Sequence, residues 1–136
     1  MIIGIGSDIA RVGRFEQAMA RHGKRFAQRI LGSEEQRILA SHTQPAAYLA
    51  KRFAAKEAFV KALGSGLRHG IQWKDIQVLN DRLGKPYLQL DGLARAHAQK
   101  LEINAMHVSL SDEADYALAF VILECFPSAH ARHSGV

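Results

Sequence analysis

The stretch from Leu49 to Gly66 constrains the fold more strongly than any other part of this sequence. At about 100° per residue, its large apolar side chains form one stripe of a helix, and alanines cover most of the opposite side. The large side chains are Leu49, Phe53, Phe59, Val60 and Leu63, and the alanines are Ala50, Ala54, Ala55, Ala58 and Ala62. Because both sides are apolar, we expect this helix to pack against other elements on both sides.

The two ends of this helix carry their own signals. Pro45 suits the first turn of a helix, and Gly64 suits the left-handed residue that ends one. We therefore predict a helix over residues 44–63, followed by a loop that begins Gly-Ser-Gly. Its length makes it the central element of the fold. Glycine also lets a ligand approach the backbone closely, so a bound phosphate is the alternative to a simple helix cap.

Charged residues interrupt this apolar helix at Lys56, Glu57 and Lys61. A helix that packs on both sides leaves them little solvated surface, so their charges require partners. Glu57 and Lys61 are four residues apart, which makes them neighbours on a helix. The simplest interpretation is a surface ion pair worth about 0.2–0.5 kcal/mol, and the alternative is a functional charge cluster.

The composition indicates one folded domain with a basic surface. The chain has 136 residues, of which 48% are hydrophobic and 23% charged. We expect a single domain over residues 1–125 and a frayed tail at 126–136. The formal charge of +5 favours an acidic partner, which could be a nucleic acid, an anionic membrane, an acidic protein or a phosphorylated small molecule.

The cysteine content and the N-terminal sequence bear on location. Cys125 is the only cysteine, so one chain can form neither an internal disulfide nor a cysteine zinc cluster. The N-terminus lacks the basic lead and long apolar core of a signal peptide, and no run reaches the roughly 18 apolar residues of a membrane span. These features predict a soluble, cytoplasmic protein.

The first nine residues read as a short apolar strand that ends near Asp8. Gly4 and Gly6 would let another backbone approach this strand closely. They do not indicate a dinucleotide fold, because Ile9 occupies the position of the third glycine and no βαβ pattern follows. A lone aspartate after a strand is more often a helix cap than a metal ligand. Glu57 is the candidate for a second carboxylate.

The rest of the chain alternates helical and extended patterns. We predict a basic amphipathic helix from Ala10 to His22, in which Arg11, Arg14 and Arg21 lie on one face beside Phe15 and Met19. Further predicted elements are a helical turn at 26–31, a helix from a capping box at 33–36 to residue 41, a hairpin of strands at 71–78 and 87–90, a helix at 93–101, and strands at 106–110 and 116–124. The last strand is the most apolar and should be central.

Several of these segments together resemble the holo-acyl-carrier-protein synthases, which are small phosphopantetheinyl transferases. The resemblance spans residues 1–124 in order. Its motifs are Gly4 to Ile9, Arg29 to Leu31 with Glu35, Arg52 to Gly66, Asn80-Asp81 with Gly84-Lys85-Pro86, and His107 to Glu113. It implies an α+β fold in which a long central helix packs on a small antiparallel sheet. One chain of this length makes one lobe of the larger two-lobed transferases.

The resemblance also implies a reaction and a metal site. Asp8 and Glu57 match the family's ligands for Mg²⁺, with Mn²⁺ as an alternative ion. Two carboxylates suffice because magnesium keeps several waters and takes up phosphate oxygens. Lys61 matches the lysine that contacts phosphate and would offset the charge of the leaving group. Glu57 or a metal-bound water would take the proton of the serine hydroxyl that attacks coenzyme A.

The remaining coenzyme A contacts follow from the same resemblance. Arg52, Gly64 and Ser65 match positions near the nucleotide phosphates, and His107 and Ser109 lie on the matching late strand. A core histidine bonded to backbone is the alternative for His107. The sequence departs from the family at Gly32, where many relatives have threonine.

The implied partners are coenzyme A and an acyl carrier protein, within fatty acid biosynthesis. Arg11, Arg14 and Arg21 form the cationic strip that we expect to bind this acidic protein, with Arg14 and Arg21 as the residues to test. The family resemblance implies a homotrimer with sites between subunits, and it implies neither nucleic-acid nor membrane binding. Two alternatives stay open on the residues alone: a small basic RNA-binding module, and a non-catalytic nucleotide-binding or assembly protein.

Overall fold

The computed structural model describes residues 1–127 and has the predicted α+β architecture. Five helices and five strands follow one another within these residues. They are β1 (Ile2–Arg11), α1 (Val12–His22), α2 (Lys24–Ile30), α3 (Ser33–Ala40), α4 (Pro45–Leu63), β2 (Ile76–Asn80), β3 (Pro86–Leu90), α5 (Gly92–Lys100), β4 (Ala105–Glu113) and β5 (Tyr116–Glu124). Short 3₁₀ turns at Arg68–Gly70 and Trp73–Asp75 lie between α4 and β2.

A three-stranded antiparallel sheet packs one face on α4. Its strand order is β1, β5, β4, so the most apolar strand is central, as its sequence predicts. Gly4 and Gly6 place β1 directly against the helix. A Cβ atom at either position would lie 1.9 Å from a backbone carbonyl oxygen, that of Ala62 or that of Ala58. The glycines of β1 and the alanines of α4 therefore form one close backbone contact, which confirms the prediction for both.

The opposite face of this sheet is apolar and exposed in the single chain. Ile5, Ile9, Leu118 and Phe120 each expose between 39% and 58% of their surface. Ile5 and Ile9 belong to β1, and Leu118 and Phe120 belong to its neighbour β5. The sheet thus has one face buried against α4 and one continuous apolar face outside.

The second sheet is the predicted hairpin of β2 and β3. It begins at Ile76, later than the sequence pattern suggests, because Trp73–Asp75 forms a 3₁₀ turn. The Asp81 carboxylate accepts hydrogen bonds from the backbone N–H groups of Leu83 and Lys85, which stabilises the connecting turn.

β1 and β4 are longer than predicted. β1 continues through Arg11 because Ile9, Ala10 and Arg11 still pair with β5. Asp8 therefore lies within the strand and not at its end, and α1 begins at Val12 instead of Ala10. The helix-cap interpretation of Asp8 is wrong for the same reason. The predicted end of α1 at His22 is confirmed, and Gly23 is its C-cap.

The start of α3 differs from a Ser33 capping box. Gly32 is the N-cap, and its N–H donates to Glu35 Oε1 at 2.9 Å. Gln77 of β2 supplies the other acceptor, because its Oε1 takes hydrogen bonds from the N–H groups of Glu34 and Glu35. A Cβ atom at position 32 would lie 2.5 Å from the Gln77 side chain. Glycine at this position therefore makes room for a cap that comes from another element.

Two sequence predictions concern the ends of the chain and its surroundings. In the described range 1–127, no helix is both long and apolar enough to cross a membrane. The tail predicted at 126–136 falls outside the described residues from position 128 onward, and the single domain at 1–125 remains a prediction.

Substituting Gly6 tests the contact between β1 and α4. We expect Gly6→Ala to lower the free energy of unfolding by about 1–3 kcal/mol, because the new methyl group meets backbone that cannot move aside. Gly13→Ala is the matched control, since its Cβ would meet only the flexible Arg11 side chain, 3.3 Å away. Chemical denaturation measures both. Equal stability of Gly6→Ala and wild type would contradict the close contact.

Candidate active site

The packing of β1 on α4 brings Asp8 and Lys61 together. Lys61 Nζ lies 2.9 Å from Asp8 Oδ1 and 3.1 Å from the carbonyl oxygen of Ser7. The Asp8 side chain is 18% exposed and that of Lys61 is 54% exposed, so the pair lies at the edge of the interface. Asp8 points toward α4 because it shares the strand face of Gly4 and Gly6. The close contacts of Gly4 and Gly6 with α4 therefore hold the Asp8 carboxylate beside this helix.

Glu57 lies one helical turn before Lys61 and belongs to the same electrostatic cluster. Burial and the nearby Asp8 carboxylate raise the pKa of Glu57, while Lys61 opposes this shift. The lysine pairs with Asp8 across the interface, so the simple Glu57–Lys61 surface ion pair is not the arrangement that forms. The carboxylates of Asp8 and Glu57 and the ammonium group of Lys61 therefore lie close to one another.

This donor set fits a divalent cation. The negative charge of Asp8 raises the pKa of Glu57, and a positive ion between the two carboxylates would offset this repulsion. No cluster of three or more His, Cys, Asp or Glu side chains with metal-binding geometry occurs among the described residues. Two oxygen ligands suit Mg²⁺, which retains waters, better than they suit zinc, which takes three or four protein ligands.

A cavity of about 510 Å³ opens beside Asp8 and Lys61. Its other lining residues come from β1, β4 and β5, and include Ser7, Ser109 and Phe120. Gly64 ends α4 just beyond Lys61, with a left-handed φ of 84°, and its N–H donates to the carbonyl oxygens of Val60 and Lys61. The predicted helix cap is confirmed, and Ser65 follows it.

Arg52 lies away from the Asp8–Lys61 pair, at a different cavity. It precedes Lys61 by nine residues, or about 14 Å along the helix at 1.5 Å per residue. Arg52 Nη2 donates to Asn80 Oδ1 at 2.6 Å, and its guanidinium lies 4.6 Å from the centre of the Tyr48 ring. These residues line a separate cavity of about 360 Å³. One chain therefore does not bring Arg52 to the Asp8–Lys61 pair.

Two buried polar groups at this second cavity lack partners within residues 1–127. They are the hydroxyl of Tyr48 and Nε of Arg52, both on side chains that are almost completely buried. Burial raises the pKa of the Tyr48 phenol, and the nearby Arg52 opposes that shift. Leaving such groups unpaired costs free energy. Sequence reasoning missed Tyr48, because its position on the helix predicts only core packing.

His107 lies on β4 with its ring on the surface. Its Nε2 is 2.7 Å from Glu124 Oε1, and 56% of the side chain is exposed. The alternative of a core histidine bonded to backbone is therefore wrong. His107 does not line the cavity at Asp8, whereas Ser109, two residues further along the same strand, does.

Lys56 has a partner that the sequence pattern does not reveal. Its Nζ donates to Glu35 Oε1 at 2.6 Å and to the carbonyl oxygens of Ile30 and Trp73. Both charged side chains are fully buried. Burial lowers the pKa of Lys56, and the Glu35 carboxylate opposes this shift. The prediction that this charge needs a partner is confirmed. The partner Glu35 could not be identified from the sequence, because it lies 21 residues away and no helical periodicity connects it to Lys56.

Arg14 and Arg21 are exposed on α1, as predicted, and neither forms an ion pair with any part of the chain that the structure describes. The prediction was wrong for Arg11, which is the last residue of β1 because it still pairs with Tyr116 of β5. Phe15 does not flank them as an exposed anchor. It is only 4% exposed and packs against Phe26 and Phe53. Met19 keeps partial exposure beside the arginines.

The chain is similar to a family of known sequence and structure. The family model described as "4'-phosphopantetheinyl transferase superfamily" matches residues 4–121. The holo-[acyl-carrier-protein] synthase of Vibrio parahaemolyticus is 51% identical over 123 residues, which are 90% of this chain and 98% of the relative. That of Salmonella arizonae is 48% identical over 128 residues, which cover 94% and 98%.

Solved structures agree with these sequence relatives. The holo-[acyl-carrier-protein] synthase of Neisseria meningitidis superposes with a TM-score of 0.87 at 41% identity, covering 91% of this chain and 99% of that one. The Bacillus anthracis enzyme, solved in complex with CoA (3',5'-ADP), gives a TM-score of 0.76 at 34% identity, covering 93% and 99%. The chain therefore belongs to the 4'-phosphopantetheinyl transferase superfamily, as a holo-[acyl-carrier-protein] synthase.

Proposed function

We propose that this protein transfers the 4'-phosphopantetheine arm of coenzyme A to a serine of apo-acyl carrier protein. The products are holo-acyl carrier protein, for use in fatty acid biosynthesis, and adenosine 3',5'-bisphosphate. The cluster of Asp8, Glu57 and Lys61 beside an open cavity is the observation that carries this proposal. Family membership supports it and disfavours the non-catalytic alternatives. A cytoplasmic location is part of the same proposal.

In this reaction the serine oxygen forms a bond to the β-phosphorus of coenzyme A, and the bond from that phosphorus to the bridging pyrophosphate oxygen breaks. Asp8 and Glu57 would hold Mg²⁺, or Mn²⁺ in its place. The ion, when bound, neutralises charge that accumulates on the pyrophosphate. Lys61 lies beside Asp8 and would offset the negative charge on the departing adenosine bisphosphate.

Glu57 is the candidate for removing the serine proton. Its carboxylate lies one helical turn before Lys61 and close to Asp8, where the pyrophosphate is proposed to bind. Burial and the negative charge of Asp8 raise the pKa of Glu57 in the chain without the ion. Ser65 follows the cap residue Gly64 at the end of α4. The Gly64 N–H is used within the cap, so the loop that begins at Ser65 is the candidate for contacts with the phosphates.

The coenzyme A site is proposed to lie between subunits of a homotrimer. Arg52 and His107 are candidate contacts, yet Arg52 lines a different cavity from Asp8 and Lys61. A neighbouring subunit could supply such contacts where one chain does not. The exposed apolar face of β1 and β5 supports assembly, because soluble monomers rarely expose a continuous patch of this kind.

Removing either candidate ligand tests the proposed chemistry. We expect Asp8→Asn and Glu57→Gln each to lower the rate of transfer at least a hundredfold, because each removes charge that the metal site requires. The assay follows release of adenosine 3',5'-bisphosphate from coenzyme A, with and without apo-acyl carrier protein and Mg²⁺. Asp112→Asn is the control, since Asp112 is an exposed carboxylate paired with Lys51. Near-normal transfer by either variant at limiting Mg²⁺ would refute the two-carboxylate site.

The mass of the assembly tests the shared site. Light scattering of active protein at micromolar concentration should give about three times the chain mass of 15.0 kDa. Phe120→Glu should dissociate the assembly by placing a charge on the apolar face of β5, and it should lower activity with it. An active particle with the mass of one chain would contradict sites between subunits.

The arginines of α1 provide a separate test of the carrier surface. We expect Arg14→Glu and Arg21→Glu to raise the KM for acyl carrier protein several-fold, with a loss that shrinks as salt rises. The KM for coenzyme A should stay near wild type, because the small substrate does not need this strip. A similar rise for both substrates, or none for the carrier, would return these arginines to the role of solvated surface charges.

A further inference from the structure

Helix α4 is joined to strand β2 by two adjacent polar connections. In one, Arg52 Nη2 donates to Asn80 Oδ1 at 2.6 Å. In the other, Lys56 Nζ donates to Glu35 Oε1 at 2.6 Å, and Glu35 Oε2 accepts from the backbone N–H of Val78 at 2.9 Å. The second connection therefore runs from the helix to the strand through the carboxylate of Glu35.

The spacing of these connections matches on both elements. Arg52 and Lys56 are four residues apart, which is about 6 Å along a helix. Asn80 and Val78 are two residues apart, which is about 7 Å along a strand. The residue numbers rise from Arg52 to Lys56 on α4 and fall from Asn80 to Val78 on β2. The two elements are therefore antiparallel, and the two connections lie side by side between them. A fixed Lys56–Glu35–Val78 connection consequently fixes where Asn80 meets Arg52.

The Lys56–Glu35 pair is built to hold one geometry. Its lysine has three acceptors, which are Glu35 and the carbonyl oxygens of Ile30 and Trp73. Its carboxylate accepts from Lys56 and from the backbone N–H groups of Gly32 and Val78. Both side chains have no exposed surface, so neither can exchange these partners for water. A pair with every group satisfied has little freedom to shift.

We propose that Lys56 and Glu35 are positioning residues for coenzyme A. They hold β2 on α4 so that Arg52 and Asn80 form the wall of the 360 Å³ cavity, in which Tyr48 Oη and Arg52 Nε remain without partners in the described chain. This inference rests on the proposed function, which assigns Arg52 to the phosphates of coenzyme A. The candidate catalytic residues Glu57 and Lys61 lie on the other side of α4, where Lys61 contacts Ser7 and Asp8 of β1.

The kinetic consequence is a selective loss of coenzyme A affinity. We expect the double variant Lys56→Met with Glu35→Gln to raise the KM for coenzyme A at least tenfold, while kcat and the KM for acyl carrier protein change less than threefold. The double variant removes both charges together, so that no single buried charge is left behind. Glu35→Gln alone is the second variant, because Lys56 keeps its two carbonyl acceptors there. Circular dichroism melting identifies a temperature at which each variant is folded.

A matched control separates positioning from stability. Leu123→Ala removes a fully buried side chain from β5, away from the α4–β2 connections. It should lower the melting temperature and leave the KM for coenzyme A of the folded protein unchanged. If the pair acts through Asn80, adding Asn80→Ala to the double variant should raise that KM no further, although Asn80→Ala raises it in the wild type.

Three outcomes decide the inference. A KM for coenzyme A within twofold of wild type in folded double variant and in Glu35→Gln would overturn it. So would a loss confined to kcat, or fully additive effects with Asn80→Ala. Failure of the wild-type protein to transfer phosphopantetheine would overturn the proposed function first, and that result is distinguishable because it requires no variant.

Discussion

The site depends on one backbone contact, the approach of Gly4 and Gly6 in β1 to the carbonyl oxygens of Ala62 and Ala58 in α4. Any side chain on those strand positions would push β1 away from the helix. The contact matters for chemistry because Asp8 lies two residues beyond Gly6, on the same strand face. At this separation its carboxylate reaches Lys61 directly and influences the pKa of Glu57. The absence of side chains at Gly4 and Gly6 therefore allows Asp8 to approach the charged residues of α4.

The charges of α4 divide between two faces with different tasks. Glu57 and Lys61 face β1 at a partly open edge, where we propose that the metal and the phosphates bind. Arg52 and Lys56 face β2 and Glu35, where both side chains are buried and their geometry is held by hydrogen bonds. A buried ion pair is weak evidence for stability, because desolvation offsets much of its attraction. Its value here lies in fixing the position of one element on another.

The sequence predicted most elements but not the long-range contacts that place them. The period of α4, with Pro45 and Gly64 at its ends, defined the helix correctly because these signals are local. The predicted end of β1 was wrong. Ala10 and Arg11 continue the strand because they pair with β5, which lies about 110 residues further along the chain. Glu35 as the partner of Lys56, and Gln77 as the cap of α3, were missed for the same reason. The roles of Asp8, Glu57 and Lys61 came from family resemblance, and the structure brings these residues together.

The central claim is that the β1–α4 contact places the Asp8 and Glu57 carboxylates close enough to interact. An NMR titration of the Glu57 side-chain carboxyl in wild type and in Asp8→Asn tests this directly. We predict that Asp8→Asn lowers the pKa of Glu57, because it removes a neighbouring negative charge and frees Lys61 to interact with Glu57. Mg²⁺ should lower the same pKa in wild type and have a smaller effect in the variant. Asp112→Asn, which removes a distant carboxylate, should leave it unchanged. An identical Glu57 pKa in wild type and Asp8→Asn would contradict the account.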